Sequence, residues 1–166
     1  VKNDPRPLYW SAGPVATFLG GQFVGRGEIP TVTLGESFAV GLGIDSSLRA
    51  KREFVDKQER IQGGNRVVDF IYELALENFG NQPTQVRLLD RLPTAGENDI
   101  KVTLVKSDQA VSDDESYQLS ERKDGILRWD VDALAQAVGT KRNVLRYTIE
   151  IEYDKQRSIV GMPQKN

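Results

Sequence analysis

The chain has 166 residues, a formal net charge of −2, and neither cysteine nor histidine. That removes cysteine nucleophiles, disulfides, zinc sites of the usual nitrogen and sulfur type, and any Ser-His-Asp relay. The near-neutral, sign-mixed charge excludes a general nucleic-acid binder and reads as a solvated surface. At this length one domain can bury roughly 70% of the surface of its unfolded chain, so a core forms without staples.

No apolar run approaches the ~20 residues of a membrane span, and no stretch reads as a signal peptide. The chain opens at Val1 and not at methionine, and is expected to be a piece of a longer protein. Val1 to Pro7 is a polar lead-in, and Leu8-Tyr9-Trp10 is expected to begin a strand or dock over the core. Val15 to Leu19 is apolar, and Gly20-Gly21 then suggests a tight hairpin or bulge into Phe23-Val24. The string GGQFVGRGE raises the question of a phosphate cradle. Such a loop needs a following helix, whereas Ile29-Pro30-Thr31-Val32 is extended in character.

Phe38, Val40, Leu42 and Ile44 alternate with Ser37, Ala39, Gly41 and Gly43. The alternation predicts a strand whose bare face lies where another backbone passes close. Leu48 to Val55 reads as its partner, and Asp56 to Arg66, with Gly63-Gly64-Asn65, as a loop or hairpin end.

The stretch from Arg66 to Pro93 reads as a hairpin. Phe70, Tyr72, Leu74 and Leu76 share one parity, and Asp69, Glu73 and Glu77 the other. The run from Asn78 to Pro83 is dense in turn formers, and Val86, Leu88 and Leu89 follow in the second strand. Ile100, Val102 and Leu104 predict another strand. Ser107 to Ser116, holding Asp108, Asp113, Asp114 and Glu115, reads as a mobile acidic loop. Asp124-Gly125 is a turn pair before Leu127, Trp129 and Val131, which share an inward parity.

Asp132 to Val138 (DALAQAV) is expected to form a short helical turn, capped by Asp132 and ended by Gly139. Leu145, Tyr147, Ile149, Ile151 and Tyr153 then alternate with Arg146, Thr148, Glu150 and Glu152. About eight single-sided strands imply antiparallel sheets that cover each other as a β-sandwich, with a closed barrel as the alternative.

Chemistry without histidine falls to carboxylates, lysine or tyrosine. Asp130 and Asp132 point the same way on one strand, as do Glu150 and Glu152, and either pair offers two carboxylates for glycoside hydrolysis. The solvent-face reading is preferred for both. Asp113-Asp114-Glu115 offers oxygen ligands, but its spacing matches no calcium loop. Trp129 is assigned to the core. Trp10, with Tyr9 and Tyr153, is the aromatic set that would stack on a sugar if exposed together. Tyr147 is an inward tyrosine of the kind whose hydroxyl pins the corner of a sandwich.

Three stretches, GPVATFLGGQFVGRGEIPTVTLGESFAVGLGIDSSLRAKRE, YELALENFGNQPTQVRLLDRLPTAGENDIKVTL, and GILRWDVDALAQ followed by LRYTIEIEY, stand in this order. Together, over Gly13 to Pro163, they resemble the C-terminal domain of mucoidy-inhibitor-A-like proteins, the domain of unknown function numbered 4139. The resemblance implies an Ig-like or fibronectin-like sandwich. It also implies a parent with an N-terminal β domain and a coiled-coil middle, often in exported bacterial proteins. It carries over no catalytic residue. The Ser107 to Glu121 insertion and the helical DALAQAV depart from its pattern.

The expectation is therefore an all-β protein with a lead-in at 1–12, one sandwich domain at 13–156 and a polar tail at 157–166. No catalytic, cofactor-binding or metal site is expected, and no cofactor. Its function would be a non-catalytic module for protein interaction or architecture. The compartment would be the periplasm, the cell envelope or the exterior, and the partner a protein or the other domains of the parent. A carbohydrate-binding module and a carboxylate hydrolase are the rival readings.

Overall fold

A computed structural model describes residues 11–33, 35, 36, 38–95 and 99–157. Tyr9, Trp10 and the tail from residue 158 lie outside them. The chain divides into two compact units, Val1–Ser46 and Ser47–Asn166.

In the first unit, β1 (Gly13–Leu19) and β2 (Gln22–Ile29) form an antiparallel hairpin. Its two-residue loop is Gly20-Gly21, both at positive φ, the turn whose twist suits a hairpin. Thr17 is buried, and its hydroxyl donates to the carbonyls of Gly25 and Gly41 at 3.2 and 3.3 Å. Segment 38–44 is therefore tied to the hairpin, yet it forms no strand, which corrects the alternation reading. Phe38, Val40 and Leu42 are exposed, and Ile44 is 98% exposed. The glycine parity is the reason. Gly43 sits at φ +92°, and a Cβ there would lie 2.5 Å from the Val24 carbonyl oxygen. The expected close backbone approach is real, but it breaks the extended run that would have buried the bulky parity.

The second unit is the sandwich. β3 (Leu48–Gln62), β4 (Asn65–Asn78), β6 (Lys101–Ser107) and β8 (Asn143–Asp154) make an antiparallel sheet in the order β3-β4-β8-β6. β5 (Thr84–Arg91) and β7 (Ile126–Ala133) pair antiparallel as a second sheet. β3 runs on through the expected loop to a second Gly-Gly turn, where Gln62 faces Asn65.

The expected hairpin across Arg66 to Pro93 does not form. β4 pairs with β3 and β8, and β5 crosses to the other sheet. Leu76 and Leu88 both face the core, and two layers let them do so from opposite sides. Asn78 manages the crossing. It is 1% exposed, its amide donates to the carbonyls of Gln82 and Ala133, and its Oδ1 accepts from Gly80 N–H.

The core joins the inward row of β4 (Val68, Phe70, Tyr72, Leu74, Leu76) and that of β8 (Leu145, Tyr147, Ile149, Ile151, Tyr153) to Leu88, Leu127, Trp129 and Ala133 of the second sheet. Trp129 is fully buried, and its indole N–H donates to Ser107 Oγ and the Gln109 carbonyl.

DALAQAV is not helical. Asp132 and Ala133 continue β7, Ala133 is buried against the core, and Ala137 bridges to Asn78. Sheet pairing overrides the local helical spacing. The short helix α1 (Glu115–Leu119) begins instead at the end of the stretch read as a mobile acidic loop and runs past it. Asp114 caps it by accepting from Tyr117 N–H at 2.8 Å. Tyr117 is buried beneath it, and its hydroxyl donates to the Ile126 carbonyl while accepting from Arg128 N–H.

Candidate functional sites

Three polar arrangements stand out in the second unit. The first lies between the sheets. Arg52 on β3 shares the inward row with Ala50 and Phe54, and Asp90 on β5 shares one with Val86 and Leu88. Opposite charges on two facing apolar rows meet. Arg52 Nε donates to Asp90 Oδ2 at 2.8 Å and to the Tyr147 hydroxyl at 3.0 Å, and Tyr147 in turn donates to Asp90. The guanidinium lies 3.7 Å from the centroid of the Tyr72 ring, which stacks on Tyr147 at 5.6 Å.

Burial pushes the Tyr147 hydroxyl well above the usual phenol range. The bond to Asp90 adds to this and Arg52 opposes it. Burial presses the Arg52 guanidinium down, but the Tyr147 hydroxyl and Asp90 outweigh it and the net shift is upward. The Tyr147 hydroxyl is thus spent on a side chain of the opposite sheet and not on a backbone corner, which corrects that expectation. The Tyr147 proton and the Arg52 charge are both retained, and with Asp90 bonded to each the group works as a lock between layers.

The second arrangement covers the outer face of the four-stranded sheet. Arg60 on β3 reaches Asp69 on β4 and Glu150 on β8, the latter at 2.6 Å, and Asn65 donates to Glu152 at 2.8 Å. Glu73 on β4 meets Arg146 at 3.3 Å and Arg142 at 3.7 Å. The Glu150 and Glu152 pair is therefore tied into cross-strand bonds. Bulges after Phe54 in β3 and after Leu104 in β6 flank a cavity of about 250 Å³ floored by Ile71 and Thr148, with Asp56, Lys106, Asp108 and Arg146 around it.

The third is the outer face of the β5–β7 sheet, an open cleft of about 530 Å³ that holds the other carboxylate pair, Asp130 and Asp132. Asp130 meets Arg87 at 3.3 Å and Arg128 at 3.4 Å. A hydrogen bond from Ser112, then those from the two arginines, hold its carboxyl below the usual range. Arg128 is buried between Asp114 and Asp130, with its guanidinium 5.5 Å from the centroid of the Tyr117 ring. A side chain expected on the outward parity is thus roofed by α1. Asp132 lies beside Gln85 on β5.

Among the described residues no group of three or more carboxylates gathers as a metal site, and Asp114, from the acidic triplet, is the helix cap. Tyr153 is 4% exposed and packs in the core, so it presents no stacking face; Tyr9 and Trp10 lie outside the described residues. Sequence reasoning passed over Arg52, Asp90 and Asn78. The signal was there for one of them: Asp90 is a lone charge on the apolar parity of Val86 and Leu88, and a carboxylate placed there demands a counter-charge.

These features define an antiparallel β-sandwich with charged pairs across its strands, among them Arg52 with Asp90, Arg60 with Glu150 and Arg87 with Asp130. The chain belongs to the family described as Domain of unknown function (DUF4139), whose model matches residues 10–155. The comparisons with curated proteins and with solved structures give no match.

Proposed function

We propose that this chain is a non-catalytic β-sandwich module, of Ig-like or fibronectin-like kind, for protein interaction or architecture. Its parent would be a larger, exported or envelope-associated bacterial protein of the mucoidy-inhibitor-A-like type. The order of the three stretches quoted above supports the parentage, and family membership is compatible with it. One observation carries the reading of the module itself. Three of the four carboxylates that offer themselves for catalysis are already engaged, Asp130 by two arginines, Glu150 by Arg60 and Glu152 by Asn65, so neither pair offers two uncommitted groups. A hydrolase needs one such group free as acid and another as base or nucleophile. The sugar-binding reading loses Tyr153 to the core.

Amide hydrogen exchange of the chain alone against the chain within its parent tests the module. Sheet-edge or sheet-face amides should gain protection in the parent. Identical exchange in both contexts defeats an interaction role. Fractionation of the bacterium should place the parent in the envelope or outside; a cytosolic parent removes that half of the proposal.

A further inference from the structure

Among the described residues the second unit has four strand edges, of which two are interrupted by bulges and one is plugged by side chains and a neighbouring segment. β3 is bulged after Phe54, and β6 is seven residues long, bulged after Leu104 and bordered by Lys101 and Lys106. The edge of β7 away from β5 is plugged. Ser112 N–H donates to the Arg128 carbonyl, Gln109 Nε2 to the Asp130 carbonyl, and the Tyr117 hydroxyl to the Ile126 carbonyl. Those are the backbone groups another strand would use.

β5 differs. Its register with β7 is unbroken from Thr84 to Arg91, and among the described residues no strand pairs with its other side; of its backbone groups, the Arg91 N–H already donates to Asp90 Oδ1 at 2.7 Å. Leu88 and Asp90 face the core, so Arg87, Leu89 and Arg91 share the outer face. Leu89 is exposed, and Arg87 already leans on Asp130 across β7. The edge thus displays cation, apolar, cation at every second residue.

A second copy of this chain does not suit that row. Antiparallel pairing centred on Leu89 sets Arg87 against Arg91 of the other copy, and in-register parallel pairing sets each arginine against itself. Like charges directly opposite are destabilising. A strand with acidic residues two positions either side of an apolar one suits it in both directions.

We propose that β5 is a strand-addition site for an extended acidic segment of another protein, or of another part of the parent, with an acidic–x–apolar–x–acidic pattern. Backbone bonds would supply the affinity, and the two arginines and Leu89 the register. The proposal rests on the interaction-module reading and names its edge and partner.

The test uses two N-acetylated, C-amidated nonapeptides of threonine and valine with valine at the centre. One carries glutamate two positions either side of that valine, the other lysine. The glutamate peptide should bind, protect β5 amides from exchange, and weaken by about tenfold or more on the double substitution Arg87→Glu and Arg91→Glu. The lysine peptide should bind only that double variant.

Glutamate-peptide binding that ignores the charge reversal overturns the proposal, as does protection confined to β3 or β6, or no binding at millimolar peptide. If the parent still protects other edges or faces in the exchange experiment above, the module reading survives and only β5 is lost. If both experiments fail, both readings fall. Circular dichroism of the double variant checks that its sandwich is intact.

Discussion

Segment 38–44 and the segment from Leu145 to Tyr153 carry the same pattern, a bulky residue at every second position. One is exposed from Phe38 to Ile44 and forms no strand; the other is the inward row of β8, buried throughout. Hydrophobic alternation alone therefore does not decide burial. In β8 the intervening residues are Arg146, Thr148, Glu150 and Glu152, side chains that suit an extended backbone and a wet outer face. In the earlier segment they include Gly41 and Gly43, and Gly43 takes a left-handed φ against the Val24 carbonyl. β8 also has β4 on one side, β6 on the other and the β5–β7 sheet across from it.

The comparison breaks if the sandwich does not depend on its second layer. Trp129 is the largest side chain that layer contributes, and it packs 5.1 Å from the Tyr147 ring, centroid to centroid. Trp129→Ala should cost about 3–5 kcal/mol, read from urea unfolding by far-ultraviolet circular dichroism. A loss below about 1 kcal/mol would mean that the inward row of β8 is not held by what faces it.

Asn78→Ala comes next. It removes two donated bonds and one accepted bond at a buried crossing between the sheets. About 2–4 kcal/mol is expected, with exchange rising first around Gly80, Gln136 and Ala137, whose backbones meet there. Stability unchanged within error would show that the crossing is held by its apolar neighbours alone.

Tyr147→Phe sharpens the comparison at smaller scale, because it keeps the ring and removes only the hydroxyl shared with Asp90 and Arg52. A loss of about 1–2 kcal/mol is expected near neutral pH. The folded protein holds the Tyr147 proton more tightly than the unfolded chain does. Its contribution is therefore complete below about pH 10, where a free tyrosine ionises, and falls away as pH rises beyond that value. The wild-type stability curve should drop above pH 10, and the phenylalanine variant should drop less. Parallel curves would remove the lock.

Much of the layer plan was legible. β4, β6, β7 and β8 lie where alternation placed them, and Trp129 is in the core, because single-sided burial imposes a period of two on an antiparallel sheet. Pairing was not legible in the same way. Adjacent strands β4 and β5 looked like a hairpin because both are apolar on one parity and joined by turn formers. Only the inward pull of Leu76 and Leu88 from opposite layers shows that the chain changes sheets at Asn78.

The helix was misplaced for a related reason. DALAQAV has helical spacing, but Ala133 is worth more paired with Thr84 over the core, while Asp114 and the buried Tyr117 fix a single turn where the acidic stretch ends. The charged lock escaped notice because Arg52 and Asp90 lie 38 residues apart: the parity of Asp90 marks a missing counter-charge without saying which residue supplies it.

The smallest effect belongs to the exposed segment itself. Leu42 has the size and parity of a core residue, yet more than half of it faces solvent. If alternation were enough to make it structural, Leu42→Ser would behave as a core truncation and cost 2 kcal/mol or more, on the order of a buried leucine. Because the neighbouring Gly43 turns the backbone out of the extended region, the substitution should stay within about 0.5 kcal/mol. The check is amide exchange over both units. The expected result is no change from Leu48 onward and at most a local change around Gly41, whose carbonyl is held by Thr17. A core-sized loss would show that Leu42 is covered in solution. The contrast with β8 would then come down to which surface covers each segment.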